Sequence, residues 1–136
     1  MILTDTGPLV ALLDEDDPYH SPCAEVSKQL PASPLLTSWP CFTEAMYLLG
    51  EVGGYRYQSE LWRLQKDQRL VLHELVASEI ERIAALMKKY QDKPMDLADA
   101  SLVAVAESRA LHRVFTLDSD FSIYRLVDGS SLEIIP

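Results

Sequence analysis

At 136 residues and 15.3 kDa, with 48% hydrophobic and 24% charged residues, the chain has the size and make-up of one globular domain, residues 1–136, rather than of a disordered tail. A net charge of −9 argues against nonspecific nucleic-acid binding through bulk electrostatics, although all 12 Lys and Arg fall at or after Lys28. The N-terminus has no basic leader and no apolar run reaches membrane-spanning length, so a cytoplasmic protein without a membrane partner is expected.

The chain opens on Ile2-Leu3-Thr4-Asp5, an apolar run too short for a helix that closes on a carboxylate. Gly7-Pro8 marks a turn, and Leu9 to Leu13 continue with a helical pattern. Asp5 therefore lies where the carboxyl end of a buried strand meets a helix, either as that helix's cap or as part of a site. The acids Asp14 to Asp17 read as turn and cap residues. A helix is expected over 18–30, stopped by Pro31, and Leu35 to Ser38 form a second strand. Pro40 opens a helix from Cys41 to about Val52 with Phe42, Ala45, Met46 and Leu49 inward, ended by Gly53-Gly54. Residues 55–68 form one helix or two short ones anchored by Leu61, Trp62 and Leu64.

Leu70 to Leu72 are a third strand. Residues 76–91 are the most amphipathic helix, with Val76, Ile80, Ile83, Met87 and Tyr90 on one side. A helix over 96–110 follows, then a fourth strand, Val114 to Asp118, again closing on a carboxylate. A short helical turn (121–126) and a last strand (132–135) end the chain. Short strands alternating with helices imply a parallel sheet covered on both faces, a three-layer α/β/α sandwich. Cys23 and Cys41 lack metal-type spacing and read as reduced thiols. His20, His73 and His112 are scattered and suit no zinc site.

Acids recur at strand ends and helix starts: Asp5, Glu44, Asp96 with Asp99, and Asp118 with Asp120. Capping explains several of them singly, Asp96 and Asp99 above all. It does not explain why two strands both close on Asp. Carboxylates gathered from separate elements are the hard oxygen donors that Mg²⁺ and Mn²⁺ take, and they suit metal-assisted phosphodiester hydrolysis. Basic clusters at Arg56, Arg63, Lys66 and Arg69, and at Arg82, Lys88, Lys89 and Lys93, fit a polyanionic substrate or are simply solvated helix faces.

Leu3-Thr4-Asp5-Thr6 with Leu9, Phe42-Thr43-Glu44-Ala45, Asp96-Leu97-Ala98-Asp99-Ala100 and Thr116-Leu117-Asp118-Ser119-Asp120-Phe121 resemble, in order, the motifs of PIN-domain ribonucleases. At this length the resemblance is to the toxins of bacterial type II toxin–antitoxin modules of the VapC kind. It implies a five-stranded sheet in the order 3-2-1-4-5 and a Mg²⁺- or Mn²⁺-dependent endoribonuclease acting on RNA. It also implies a metal site of Asp5, Glu44, Asp99 and Asp118, with Thr6, Asp96, Thr116 and Asp120 as neighbours that orient ligands or waters. Gly7 departs from the hydroxyl residue expected after Thr6. The resemblance further implies a cognate antitoxin and a homodimer, both drawing on the aromatic and basic stretch Tyr55 to Leu70. The rival readings are a non-catalytic PIN-like binding domain, a haloacid-dehalogenase-like phosphatase, which lacks its second acid at Gly7, and a receiver domain, which lacks its Lys.

Overall fold

The computed structural model describes residues 1–136. Its first element, β1 (Ile2–Thr4), is buried throughout, as a central parallel strand covered on both faces must be. Four more strands, β2 (Leu35–Ser38), β3 (Leu70–His73), β4 (Arg113–Phe115) and β5 (Glu133–Ile135), complete a parallel sheet in the order β3-β2-β1-β4-β5. Leu3 pairs with Leu36 on one side and with Val114 on the other. The chain thus builds outward from β1 to β3, then crosses back to β4. That reversal opens a crevice at the carboxyl ends of β1 and β4, the position ligands take in open α/β sheets.

Six helices cover the sheet: α1 (Thr6–Leu13), α2 (His20–Gln29), α3 (Trp39–Gly53), α4 (Tyr55–Lys66), α5 (Ala77–Lys89) and α6 (Leu97–Arg109). Leu9 of α1, Phe42 and Leu49 of α3, and Leu61 of α4 pack into one apolar cluster with Leu70. On the other face Ile83 and Leu86 of α5 join Leu102 and Val105 of α6 against Leu3, Leu36 and Val114. Each fully buried Leu among them contributes roughly 1.5–3 kcal/mol relative to exposure. The expected sandwich and strand order are the ones observed.

Local boundaries differ in instructive ways. The third helix starts at Trp39, two residues before Cys41, because Ser38 Oγ caps it by accepting from the Cys41 amide at 3.4 Å. Residues 55–66 form one continuous helix, separated from α3 by Gly54 at φ 66°, a backbone angle that disfavours any side chain. Leu61 is fully buried there, whereas Trp62 is 44% exposed and rests edge-on against Phe42.

Strand β4 ends at Phe115 and does not run to Asp118. Thr116 N still donates to Ile135 O, but the Thr116 hydroxyl then accepts from Asp118 N and turns the chain. The helical turn that follows is a 3-10 turn at Ser119–Ser122, not 121–126. On α5 the inward row is Glu79, Ile83 and Leu86, while Val76 and Ile80 are 57% and 56% exposed. The buried row contains an acid, Glu79, whose carboxylate accepts from Val76 N and pairs with His73. Apolar spacing therefore placed Ile83 and Tyr90 correctly and Val76, Ile80 and Met87 too far inward.

Candidate active site

The strand end, helix first and second turns and a 3-10 turn supply the acidic side chains, and capping geometry aims three of them, Asp5, Asp96 and Asp118. Asp5 follows β1 directly and is the N-cap of α1, its Oδ1 accepting from Thr6 N at 2.7 Å. Its other oxygen, Oδ2, accepts from the Thr116 hydroxyl at 2.7 Å. Thr116 holds the Asp118 amide through the same hydroxyl at 3.0 Å, so one side chain links Asp5 to the loop that carries Asp118. Asp118 in turn caps the 3-10 turn, its Oδ1 accepting from Asp120 N at 2.9 Å.

Asp96 is the N-cap of α6, with Oδ1 accepting from Asp99 N at 2.8 Å. The capping reading is thus correct for Asp96 and Asp5, and Asp118, for which capping was not expected, caps as well. Capping uses one oxygen of each and leaves the other free of it. Asp99 points inward from the first turn of α6 and is only 7% exposed, like Asp5. Glu44 stands on the second turn of α3, where Thr6 Oγ1 reaches its Oε2 at 3.4 Å. Asp120 lies at the rim, with Lys93 Nζ 3.8 Å from its Oδ1.

Electrostatics bind these residues into one group. Burial lifts the Asp99 carboxyl to about 7, and the charges of Asp96, Asp5 and Asp118 push it the same way. Asp5 is also raised, first by burial and then by Asp118 and Asp96, against the lowering effect of its Thr116 and Thr6 bonds. Glu44 is raised by partial desolvation and by Asp96 and Asp5. In all three burial is the main cause, and the charges of neighbouring acids add to it.

The carboxylates do not close on one point: no three His, Cys, Asp or Glu side chains stand at ion-holding spacing. Their donor chemistry nevertheless fits a hard divalent cation. One oxygen of Asp96, Asp99, Asp118 and Glu44 has no protein donor, and Asp5 is fixed in place through both of its oxygens.

Among the other residues read from the sequence, Thr6 and Thr116 both bond to acids of the group. A side chain at Gly7 would set its Cβ 3.3 Å from Leu117 Cδ1, a tight approach that Leu117 would have to yield to. None of the histidines joins the group: His20 bonds to Ala11 O and His73 to Glu79, and His112 is exposed. Arg82 leaves the basic cluster, since it forks onto Glu107 at 2.8 and 2.9 Å. Two contacts escaped sequence reasoning. Cys41 Sγ lies 3.8 Å from Asp5 Oδ1, and Tyr124 donates its hydroxyl to Asp99 Oδ2 at 3.2 Å. The i, i+3 spacing of Phe121 and Tyr124 signals burial, but no pattern announces the partner of a phenol.

Comparison with known proteins points the same way. A family model described as the PIN domain matches residues 2–126. Ribonuclease VapC26 of Mycobacterium tuberculosis is 29% identical over 99% of this chain and 100% of its own length. Among solved structures, the Mycobacterium tuberculosis toxin VapC20, described as cleaving the sarcin–ricin loop, superposes with a TM-score of 0.84 at 20% identity, covering 94% of this chain and 98% of that one. A toxin–antitoxin complex from Klebsiella pneumoniae gives a TM-score of 0.69 at 19% identity, covering 100% and 97%.

Proposed function

The chain belongs to the PIN-domain family, and from that premise we propose that it is a metal-dependent endoribonuclease, the toxin of a toxin–antitoxin pair. The observation that carries the reading is the set of mutually raised carboxylates Asp5, Glu44 and Asp99, with Asp118 beside them, at the crevice between β1 and β4. The curated relative named a ribonuclease and the solved toxin–antitoxin assembly support it. Residues 1–136 are read as a single PIN-like domain. No helix is long and apolar enough to cross a membrane.

In this reading Asp5, Glu44, Asp99 and Asp118 hold Mg²⁺ or Mn²⁺. The cation, when bound, acidifies a water nucleophile and offsets charge on the phosphodiester. The chain's own residues do the rest. Thr6 N–H and the Thr116 hydroxyl fix both oxygens of Asp5, so that carboxylate cannot rotate out of register. Asp99, raised to about 7 chiefly by burial, would have to be ionised to act as a ligand. Asp96 holds the first turn of α6 at the Asp99 amide, and Asp120 with Lys93 forms a charged rim toward which the RNA backbone approaches.

The partner reading draws on α3 and α4. Trp39, Phe42, Met46, Tyr47 and Trp62 line a cleft of about 320 Å³, Tyr47 among them being 64% exposed, and Tyr55 at the start of α4 is 74% exposed. Exposed aromatic side chains at this density suit a protein interface. The antitoxin's tail packs there, and a second copy of the chain pairs through the same helices. The test is incubation of labelled RNA with the protein in Mn²⁺ or in EDTA, with a pull-down of the adjacent gene product alongside. Cleavage that appears only with Mn²⁺ and stops on addition of that product supports the proposal; cleavage that persists in EDTA contradicts it.

A further inference from the structure

Asp99 is the most buried of the acids that lack a fixed setting, and a single side chain addresses it. Asp5 has the Thr6 amide and the Thr116 hydroxyl on its two oxygens. Asp99 Oδ2 receives only the Tyr124 hydroxyl, at 3.2 Å, and no protein donor reaches Oδ1. The other neighbours that influence this carboxylate, Asp96, Asp5 and Asp118, all carry its own charge and cannot orient it by attraction.

The Tyr124 ring is itself held. It is 2% exposed and packs edge-on against Phe121, with centroids 5.4 Å apart, and against Tyr90 at 5.2 Å. Tyr90 is tied down in turn, because its hydroxyl accepts from Arg125 N at 2.8 Å. A phenol clamped between two perpendicular rings has little freedom about either side-chain torsion, so its hydroxyl is placed by packing. This frame joins the 3-10 turn after Asp118 to the helix that carries Asp99.

We propose that Tyr124 is a positioning residue for Asp99: its hydroxyl fixes Oδ2 and leaves Oδ1 as the oxygen available to a cation. The proposal rests on Asp99 being a metal ligand. A buried phenol that only needs a partner for its own O–H gives the same contact distance. It predicts no effect on metal affinity, and that difference is measurable. Outer partners that orient a ligand change metal affinity or activity by roughly 10–100-fold when removed.

The experiment is calorimetric titration of Mn²⁺ into wild type, Tyr124→Phe, Tyr90→Phe and Asp99→Asn, with melting in EDTA recorded for each. Tyr124→Phe keeps the ring stack and removes one oxygen. Tyr90→Phe removes the same atom one ring away, where it touches Arg125 N and no acid. The expected result is a dissociation constant raised roughly tenfold in Tyr124→Phe, unchanged in Tyr90→Phe, and binding lost in Asp99→Asn. Wild-type affinity in Tyr124→Phe, with binding lost in Asp99→Asn, overturns the positioning role and leaves the metal reading standing. Equal weakening in Tyr124→Phe and Tyr90→Phe also overturns it, since a hydroxyl that touches no acid would then matter as much as the one on Asp99 Oδ2. Wild-type affinity in Asp99→Asn overturns the ligand assignment and the positioning role together.

Discussion

Glu79 and Asp99 are acids on neighbouring helices, 5% and 7% exposed, and their surroundings treat them in opposite ways. Burial would raise Glu79, but bonds from Ser108, the Val76 amide and His73 more than reverse this and hold it below the usual range. His73 Nε2 lies 2.8 Å from its Oε2, and Arg109 Nε donates to His73 Nδ1 at 3.0 Å. Asp99 has one neutral phenol and three carboxylates, and burial with those charges lifts it to about 7. One region has arranged its donors around a charge. The other has gathered like charges and left them uncompensated. Glu79 and Asp99 are alike in burial, and the direction in which each carboxyl is displaced is what sets them apart.

Changes at the acidic crevice give the largest expected effects. Asp5→Asn and Asp99→Asn should each reduce Mn²⁺-dependent RNA cleavage by more than about 100-fold, beyond the range for partners that merely orient a ligand. Circular dichroism should show the fold intact. Retained cleavage in both variants would erase the contrast between the two regions.

Substitution in the satisfied region should act on stability instead. Glu79→Ala leaves His73 and Arg109 without their acid and should cost on the order of 3 kcal/mol in urea denaturation. Cleavage per folded molecule should be unchanged.

The pH dependence sharpens the comparison because the two signs differ. Asp99 binds its proton more tightly folded (about 7) than unfolded (3.8), so its protonation favours the native state below 3.8 and that advantage is lost as pH rises to about 7. The loss is on the order of 4 kcal/mol in metal-free protein as an upper figure, and Asp99→Asn should flatten it. Glu79 is lowered, so its contribution is full above 4.5 and is lost as pH falls through its folded value. Urea midpoints from pH 4 to 8 in EDTA would separate the two.

The smallest effect is expected at Thr116→Val, which keeps the shape and removes the hydroxyl on Asp5 Oδ2. Cleavage should fall roughly tenfold. An unchanged rate would mean that the Thr6 amide alone holds Asp5.

Much of this was legible in the chain itself. The strands announced themselves as short buried runs between helical segments, and the acids at Asp5, Glu44, Asp99 and Asp118 stood at or near element boundaries, with capping fixing the direction of Asp5 and Asp118. Two features were hidden for physical reasons. Strand β4 stops at Phe115 because the Thr116 hydroxyl turns the backbone, a side-chain bond that apolar spacing does not register. The inner row of α5 was misjudged because its buried Glu79 reads as a solvent residue until His73 is folded against it. Tyr124 belongs to the same class: its contact with Asp99 spans 25 positions, and only the fold brings the two together.

The most direct test of the central claim, that the crevice acids are an uncompensated charge awaiting a cation, is the urea stability of wild type and Asp99→Asn at pH 8, in EDTA and in saturating Mn²⁺. The account predicts a crossing. Asp99→Asn should be the more stable protein in EDTA, since it removes a repelled charge, and the less stable one in Mn²⁺, since it removes a ligand. A variant that is less stable than wild type in EDTA, or one that gains as much from Mn²⁺ as wild type does, would contradict it.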